Sequence, residues 1–401
     1  MSNAIPLAVA CRFLLSFSSL HEFLKHDHLL TSPLTSYPRL QEGVFLYEHG
    51  VDPYSGGGFY HSPLLLSLFT TVLPSTTSAA RILWAVCDVL CAYLLVKIWR
   101  ARSNSLQGVR EIMVVGTFLL NPYLLLSSLS LSTSILENTL YLASVFFACK
   151  KRKAPCLFTI AFLTHLSLNS LLLAPPLILL LLGSPSPSLA SPHHIIIDRC
   201  RAIKYAAEYI FYVTVLALAS CIGSGGTDWI LRTWGTGILL PDLTPNPGLW
   251  WYFFTEMFDH FRPFFLMVFS VHLLIYVAPI CIKFQHDPLY AIFILQGILA
   301  IFKPYPTMAD IGLFLSCIAL FPELYPHLRH PIVTALLHLH ASLLLPLFHS
   351  LWLTQGTGNA NFFYASTLVF GMANGAAVVD CIFAGLRIAF PVQKGYEIAQ
   401  E

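Results

Sequence analysis

An all-α bundle of about twelve membrane-crossing helices is the fold this sequence predicts. Three observations predict it. Of 401 residues, 56% are hydrophobic and only 10% are charged, against about 25% charged in a soluble domain. The apolar residues fall in long runs broken by short Pro-, Gly- and Asn-containing segments. The basic clusters alternate along the chain so that one face of a bilayer collects them. With so few polar side chains, residues 1–401 read as a single membrane domain with no self-contained soluble part. The net charge of +2 and the lack of a basic stripe exclude nucleic acid as a partner.

A helix needs about 20 apolar residues to cross a bilayer. The candidate spans are 4–20, 80–99, 112–132, 135–149, 154–168, 169–182, 205–223, 262–283, 288–302, 309–325, 331–353 and 362–386. The first is interrupted by Arg12, lacks a basic leader and is followed by many others, so it reads as a span rather than a signal peptide. The run 62–74 is short and ends at Pro74, which marks a half-helix or interfacial helix. With both termini in the cytosol, Arg100, Arg102, Arg110, Lys150–Lys153, Arg199, Arg201, Lys204, Lys283 and Arg329 share one face. Counting 62–74 as a crossing would put these clusters on the wrong side. The Pro/Ser-rich segment within 183–204 then becomes a cytosolic linker. The opposite face holds a first loop over 21–79, a second over 224–261, and the turns 303–308 and 354–361.

The ten cysteines are scattered, mostly inside apolar runs, and suit small buried hydrophobes better than disulfides, zinc ligands or a reactive thiolate. No metal-binding or phosphate-loop pattern is present. Three segments of the non-cytosolic face carry the candidate chemistry. In the Gly-rich stretch 48–63, Asp52, Glu48 and His61 either supply acid, base or metal-ligand chemistry, or belong with Pro53-Tyr54 to a turn that lowers the chain onto the membrane. In Phe302-Lys303-Pro304-Tyr305-Pro306-Thr307-Met308-Ala309-Asp310, Lys303 and Asp310 stand at the ends of apolar helices, where charge is costly unless paired or functional. Lys303 either meets a phosphate or carboxylate or snorkels as an anchor. In the turn 356–364, Asn359 and Asn361 beside Phe362 and Tyr364 suit sugar hydroxyls and phosphate at the lipid boundary, or an N-capped aromatic belt. Inside the spans, Asn121, Glu137, Asn138, His165, His272, His338, His340 and Asp380 are functional groups or interhelical glue.

Five stretches occur in the order of a known family: Asp52-Pro53-Tyr54-Ser55-Gly56, Phe118-Leu119-Leu120-Asn121-Pro122-Tyr123, 250–258 (WWYFFTEMF), 300–307 (AIFKPYPT) and Asn361-Phe362-Phe363-Tyr364. Together they resemble the U subunit of GPI transamidase, the PIG-U family. Pro304 and Ala309 depart from the pattern, which has Ser and Gly there. The resemblance implies a GT-C-like membrane fold in the endoplasmic reticulum. It implies a non-catalytic subunit that recognises the GPI glycolipid and presents it for attachment to proteins. The other subunits, including a cysteine-protease-like catalytic one, are the implied partners, and GPI is the bound ligand, with no cofactor or metal. On that reading Lys303, Tyr305, Asp310, Asn359, Asn361, Phe362, Tyr364, Asp52, Tyr54 and His61 line the glycolipid site. The alternative is a GT-C mannosyltransferase using a dolichol-linked sugar, disfavoured because the first loop lacks an Asp-x-Asp pair.

Overall fold

Proline, glycine and asparagine decide where the apolar runs start and stop being helical. The computed structural model describes residues 4–103, 108–186, 189 and 198–390, and all of its regular elements are helices. The N-terminal part runs α1 (Ala4–Ser16), α2 (Leu20–Leu24), α3 (Tyr37–Glu48) and α4 (Pro63–Thr71). Next come α5 (Thr77–Ser103), α6 (Gly108–Leu119), α7 (Pro122–Leu129), α8 (Ser134–Cys149), α9 (Lys153–Leu166) and, after a 3-10 turn, α10 (Ala174–Leu182). Helix α11 (Arg199–Ser224) leads to the short α12 (Asp228–Thr233), α13 (Thr236–Leu239) and α14 (Trp250–Thr255). The chain closes with α15 (Arg262–Lys283), α16 (Pro288–Phe302), α17 (Met308–Cys317), α18 (Pro331–Leu353) and α19 (Ala360–Ala389).

Five helices, α5, α11, α15, α18 and α19, are long and apolar enough to cross a membrane, and α6 with α7 makes a sixth candidate bent by 50°. The chain is a polytopic helical membrane protein. The bend falls inside the expected span 112–132 and has a local cause. Pro122 occupies the first turn of α7, and the Asn121 side chain caps that turn by accepting from Tyr123 N at 3.0 Å. Six shorter apolar helices fall where other crossings are expected, between Ile5–Ser16 and Met308–Leu320. The run 62–74 contains the nine-residue α4, only about 13 Å long. Of the expected 183–204 linker, 187–188 and 190–197 lie outside the described residues, while 199–204 are already helical as the first turns of α11. Asp198 nucleates that start by accepting from Arg201 N at 3.1 Å.

Helix α16 is the core. Every residue from Pro288 to Ile301 is buried, as expected for a helix apolar on all sides. Helices α5 and α19 bury 56% and 44% of their apolar windows, whereas α11, α15 and α18 bury 11–17% and face outward. Small residues set the closest approaches. At Gly297 an added Cβ would lie 2.6 Å from the Phe314 ring of α17, and at Gly385 of α19 it would lie 2.5 Å from the Tyr290 ring.

Among the described residues the buried Arg and Lys side chains have carboxylate partners. Arg12, the residue that interrupts the first apolar run, docks α1 on α5: its Nε donates to Asp88 Oδ2 at 2.5 Å, with both side chains over 95% buried. Ser128 of α7 donates to the same carboxylate oxygen at 2.6 Å and also accepts from Arg12. Arg102, at the end of α5, is equally buried. It pairs with Glu323, donates to Leu320 O at 2.9 Å and lies 3.5 Å from Asp287, the N-cap of α16. Removing one partner of such a pair strands the other charge, which costs about 3–5 kcal/mol. We therefore expect Arg12→Met to lower stability by that amount in denaturant unfolding of the detergent-solubilised chain. Arg12→Met with Asp88→Leu should recover most of the loss, and an equal or larger loss in the double variant would show that the pair is not what holds α1.

Candidate functional site

The turn between α16 and α17 is built around one carboxylate. Thr307 and Asp310 form a capping box at the start of α17: Asp310 Oδ2 accepts from Thr307 N at 2.7 Å and from Thr307 Oγ1 at 3.1 Å. The other oxygen, Oδ1, accepts from Lys303 Nζ at 2.5 Å, and both side chains are about nine-tenths buried. Burial opposes the charge on Lys303, but Asp310 and then Glu137 outweigh it and hold the amine above its ordinary pKa. Glu137, Asn138, Asn169 and Gln296 join this pair around a polar cavity of about 30 Å³, room for one or two waters. Tyr305 is buried, and its hydroxyl donates to Asp242 O at 2.8 Å.

The Gly-rich loop folds on itself. Asp52 is exposed and turns the chain by accepting from Tyr54 N at 3.0 Å. Tyr54 is buried and donates to His61 O at 2.9 Å. His61 is also buried, and its Nε2 donates to Ser36 O at 2.9 Å. Desolvation pushes its pKa down to about 4. Gly57, at φ +85°, supplies a left-handed step in this turn.

The third segment is open. Asn359 is exposed and is the N-cap of α19, accepting from Phe362 N at 3.2 Å. Asn361 is exposed, and its Oδ1 accepts from the Tyr252 hydroxyl. Phe362 is 55% exposed and stacks on Phe348 with centroids 5.8 Å apart. Tyr364 is half-buried, lies 4.7 Å from the Tyr252 ring and donates to Leu249 O at 3.2 Å.

Helix α14 joins the second segment to the third. Trp250 donates to Phe302 O at 2.9 Å, while Trp251 and Tyr252 pack on Tyr364. Asp242 joins the first to the second: its side chain pairs with Arg39 at 3.1 Å, Arg39 donates to Gly58 O at 3.2 Å, and its carbonyl takes the Tyr305 hydroxyl. Arg39 and Asp242 carry no spacing signal in the sequence. The three segments thus form one connected layer, but they divide by access. Lys303, Tyr305, Asp310, Tyr54 and His61 are buried and bonded within the chain; Asp52, Asn359, Asn361 and Phe362 are exposed, with Tyr364 between. Lys303 spends one of its three donors on Asp310, at the edge of the polar cavity. Among the described residues no group of three or more His, Cys, Asp or Glu is placed to hold a metal. Beside Met308 lies an apolar cavity of about 740 Å³, lined by Leu30, Leu126, Leu315 and Leu339 and by the Asn121–Pro122 break.

Comparison with known proteins places the sequence in a family. The family model described as "GPI transamidase subunit PIG-U" matches residues 6–370. The GPI transamidase component GAB1 of Saccharomyces cerevisiae is 32% identical over 399 residues, covering 97% of this chain and 96% of its own length. This chain belongs to the PIG-U family. The GPI-anchor transamidase components PIGU of Mus musculus and Homo sapiens are also 32% identical, each covering 98% of this chain and 95% and 94% of their own. The PIG-U match includes all three segments, which together make the rim of this layer. Within it, Ala309 is buried in the first turn of α17, and Pro304 packs at the edge of a crevice with Trp250 and Phe302.

Two outcomes are expected here. Asp310→Ala should destabilise more than Lys303→Ala, because it removes the cap, worth about 1 kcal/mol, as well as stranding a buried lysine at about 3–5 kcal/mol. Denaturant unfolding in micelles checks the order. For His61, the unfolded chain takes up a proton near pH 6.5 and the folded chain only near 4. Its contribution is therefore full above about pH 6.5 and falls as pH drops toward 4, by about 3 kcal/mol in all. Unfolding from pH 7.5 to 4.5 should show wild type losing its advantage over His61→Gln as the pH falls.

Proposed function

We propose that this chain is a non-catalytic membrane component of the GPI-anchor transamidase and that its part is to recognise the GPI glycolipid and present it for attachment to proteins. One observation carries the reading: in a PIG-U family member, exposed Asn359, Asn361 and Phe362 stand with Tyr364 and Tyr252 at the head of α19. Amides donate to and accept from sugar hydroxyls and phosphate oxygens. The aromatic rings suit the depth where glycan gives way to lipid. Asp52 extends the polar edge, while Lys303, Tyr305 and Asp310 brace the rim from within, and Tyr54 and His61 brace its loop. The apolar cavity beside Met308 begins one residue past the rim turn and is of a size that holds acyl chains.

On this reading the six shorter apolar helices also cross, which with the bent pair makes about twelve spans in a GT-C-like fold. Short spans are tolerable where their ends continue as backbone buried in protein, as at the capped turns on either side of α17. The protein sits in the endoplasmic reticulum membrane, its termini in the cytosol and the loops 21–79 and 224–261 in the lumen. Peptide cleavage belongs to a cysteine-protease-like partner subunit; seven of the ten cysteines in this chain are buried. Held at the rim, the glycolipid amine is kept at high local concentration near that partner.

Asn361→Ala with Phe362→Ala should lower surface display of a GPI-anchored reporter several-fold and reduce the GPI lipid that co-purifies, without loss of the other subunits. Unchanged GPI attachment would sink the placement. A chain that purifies alone with a dolichol-linked sugar would point instead to sugar transfer.

A further inference from the structure

Helix α18 turns two different faces to its surroundings. Its inner face buries His338, Ala341 and Leu345. There His338 Nε2 meets Asn374 Oδ1 of α19 at 2.9 Å, and Ser342 bonds Tyr123 of α7. The outer face exposes Leu336, His340, Leu343 and Leu347. These positions are spaced four, three and four, the seam of a helix that packs along another helix. His340 is the tenth residue of a 23-residue helix, so it sits roughly 14 Å from the N-terminal end and near mid-bilayer.

An imidazole at that depth facing hydrocarbon is unfavourable, and polar side chains within spans turn toward protein. The ring geometry states what that protein must offer. His340 Nδ1 is 2.7 Å from Leu336 O, a carbonyl that can only accept, so Nδ1 carries the proton. In that tautomer Nε2 is left as an acceptor, and no hydrogen-bond partner for it occurs among the described residues. A lipid tail has no donor to give, and a second copy of α18 in symmetric contact would bring another acceptor.

We infer that the Leu336–His340–Leu343–Leu347 seam docks a transmembrane helix of a partner subunit, one that places an O–H or N–H donor such as Ser, Thr, Asn, Tyr or Trp opposite His340 Nε2. The inference rests on the reading that this chain works within a multi-subunit complex. It differs from the glycolipid rim, since the seam lies at mid-span on the outer side of α18. The leucines supply packing, and the single polar contact fixes the register, as a lone polar residue does in a helical seam.

The test uses the assembled complex in mild detergent. A photo-crosslinking amino acid replacing Leu343 should label a transmembrane peptide of another subunit that contains such a donor, identified by mass spectrometry. His340→Leu should raise the loss of that subunit during washing by roughly three- to tenfold, without changing the melting temperature of the chain purified alone. His340→Gln, which keeps an acceptor, should restore at least half of the retention. Labelling only of lipid or detergent, labelling of a second copy, or undiminished retention in His340→Leu overturns the inference while leaving the complex intact. If the wild-type chain retains no other subunit at all, the complex reading fails and the seam has no partner.

Discussion

A helix buried on all sides cannot be oriented by an amphipathic pattern, because it has no polar face to keep outward. Helix α16 is such a helix, and charge at its two ends does the positioning. At one end its N-cap Asp287 lies 3.5 Å from Arg102 of α5, in a cluster completed by Glu323. At the other, its C-cap Lys303 is held at 2.5 Å by Asp310 of α17. Both contacts are nearly dry, so each ion relies on the other for its solvation. The two ion pairs tie the ends of α16 to α5 and α17, and the Tyr290 hydroxyl, donating to Cys381 O, ties it to α19 beside the Gly385 contact.

The rim inherits this arrangement. Because Lys303 and Asp310 are spent on fixing the end of α16, the turn they flank is stiff, and its capping box starts α17 without slack. Trp250 reaches Phe302 at the same corner, so α14 is anchored there and its next residues, Trp251 and Tyr252, are delivered to Tyr364 and Asn361. An exposed amide–aromatic patch at the head of α19 thus stands on a charged, buried foundation.

The outward helices obey a different rule. Helices α11, α15 and α18 bury little of themselves, so lipid or other proteins cover them. Their polar side chains are mostly bonded locally or turned inward: Thr214 bonds Ile210 O one turn back, and His338 reaches Asn374. His340 follows this habit only in part: Nδ1 bonds Leu336 O one turn back, while Nε2 is left on a leucine seam.

How much was legible in advance depends on the range of each interaction. Composition and run length determine an all-α membrane protein, and local chemistry determines the breaks: Asn121-Pro122 ends one helix and caps the next, and Thr307-x-x-Asp310 caps another. The five family stretches were enough to point to the PIG-U family, because each is a short contiguous string. What the sequence by itself could not decide is which polar residues are free. Lys303, Tyr54 and His61 look like ligand groups in a one-dimensional reading because they stand in Gly/Pro turns beside the membrane. Their partners Asp310, the His61 carbonyl and the Ser36 carbonyl become partners only once the turns close. Arg39 and Asp242, 203 positions apart, had no signal for the same reason. Contacts between distant segments are chosen by packing geometry, and only the tertiary structure could assign Lys303 to the interior and Asn361 to the surface.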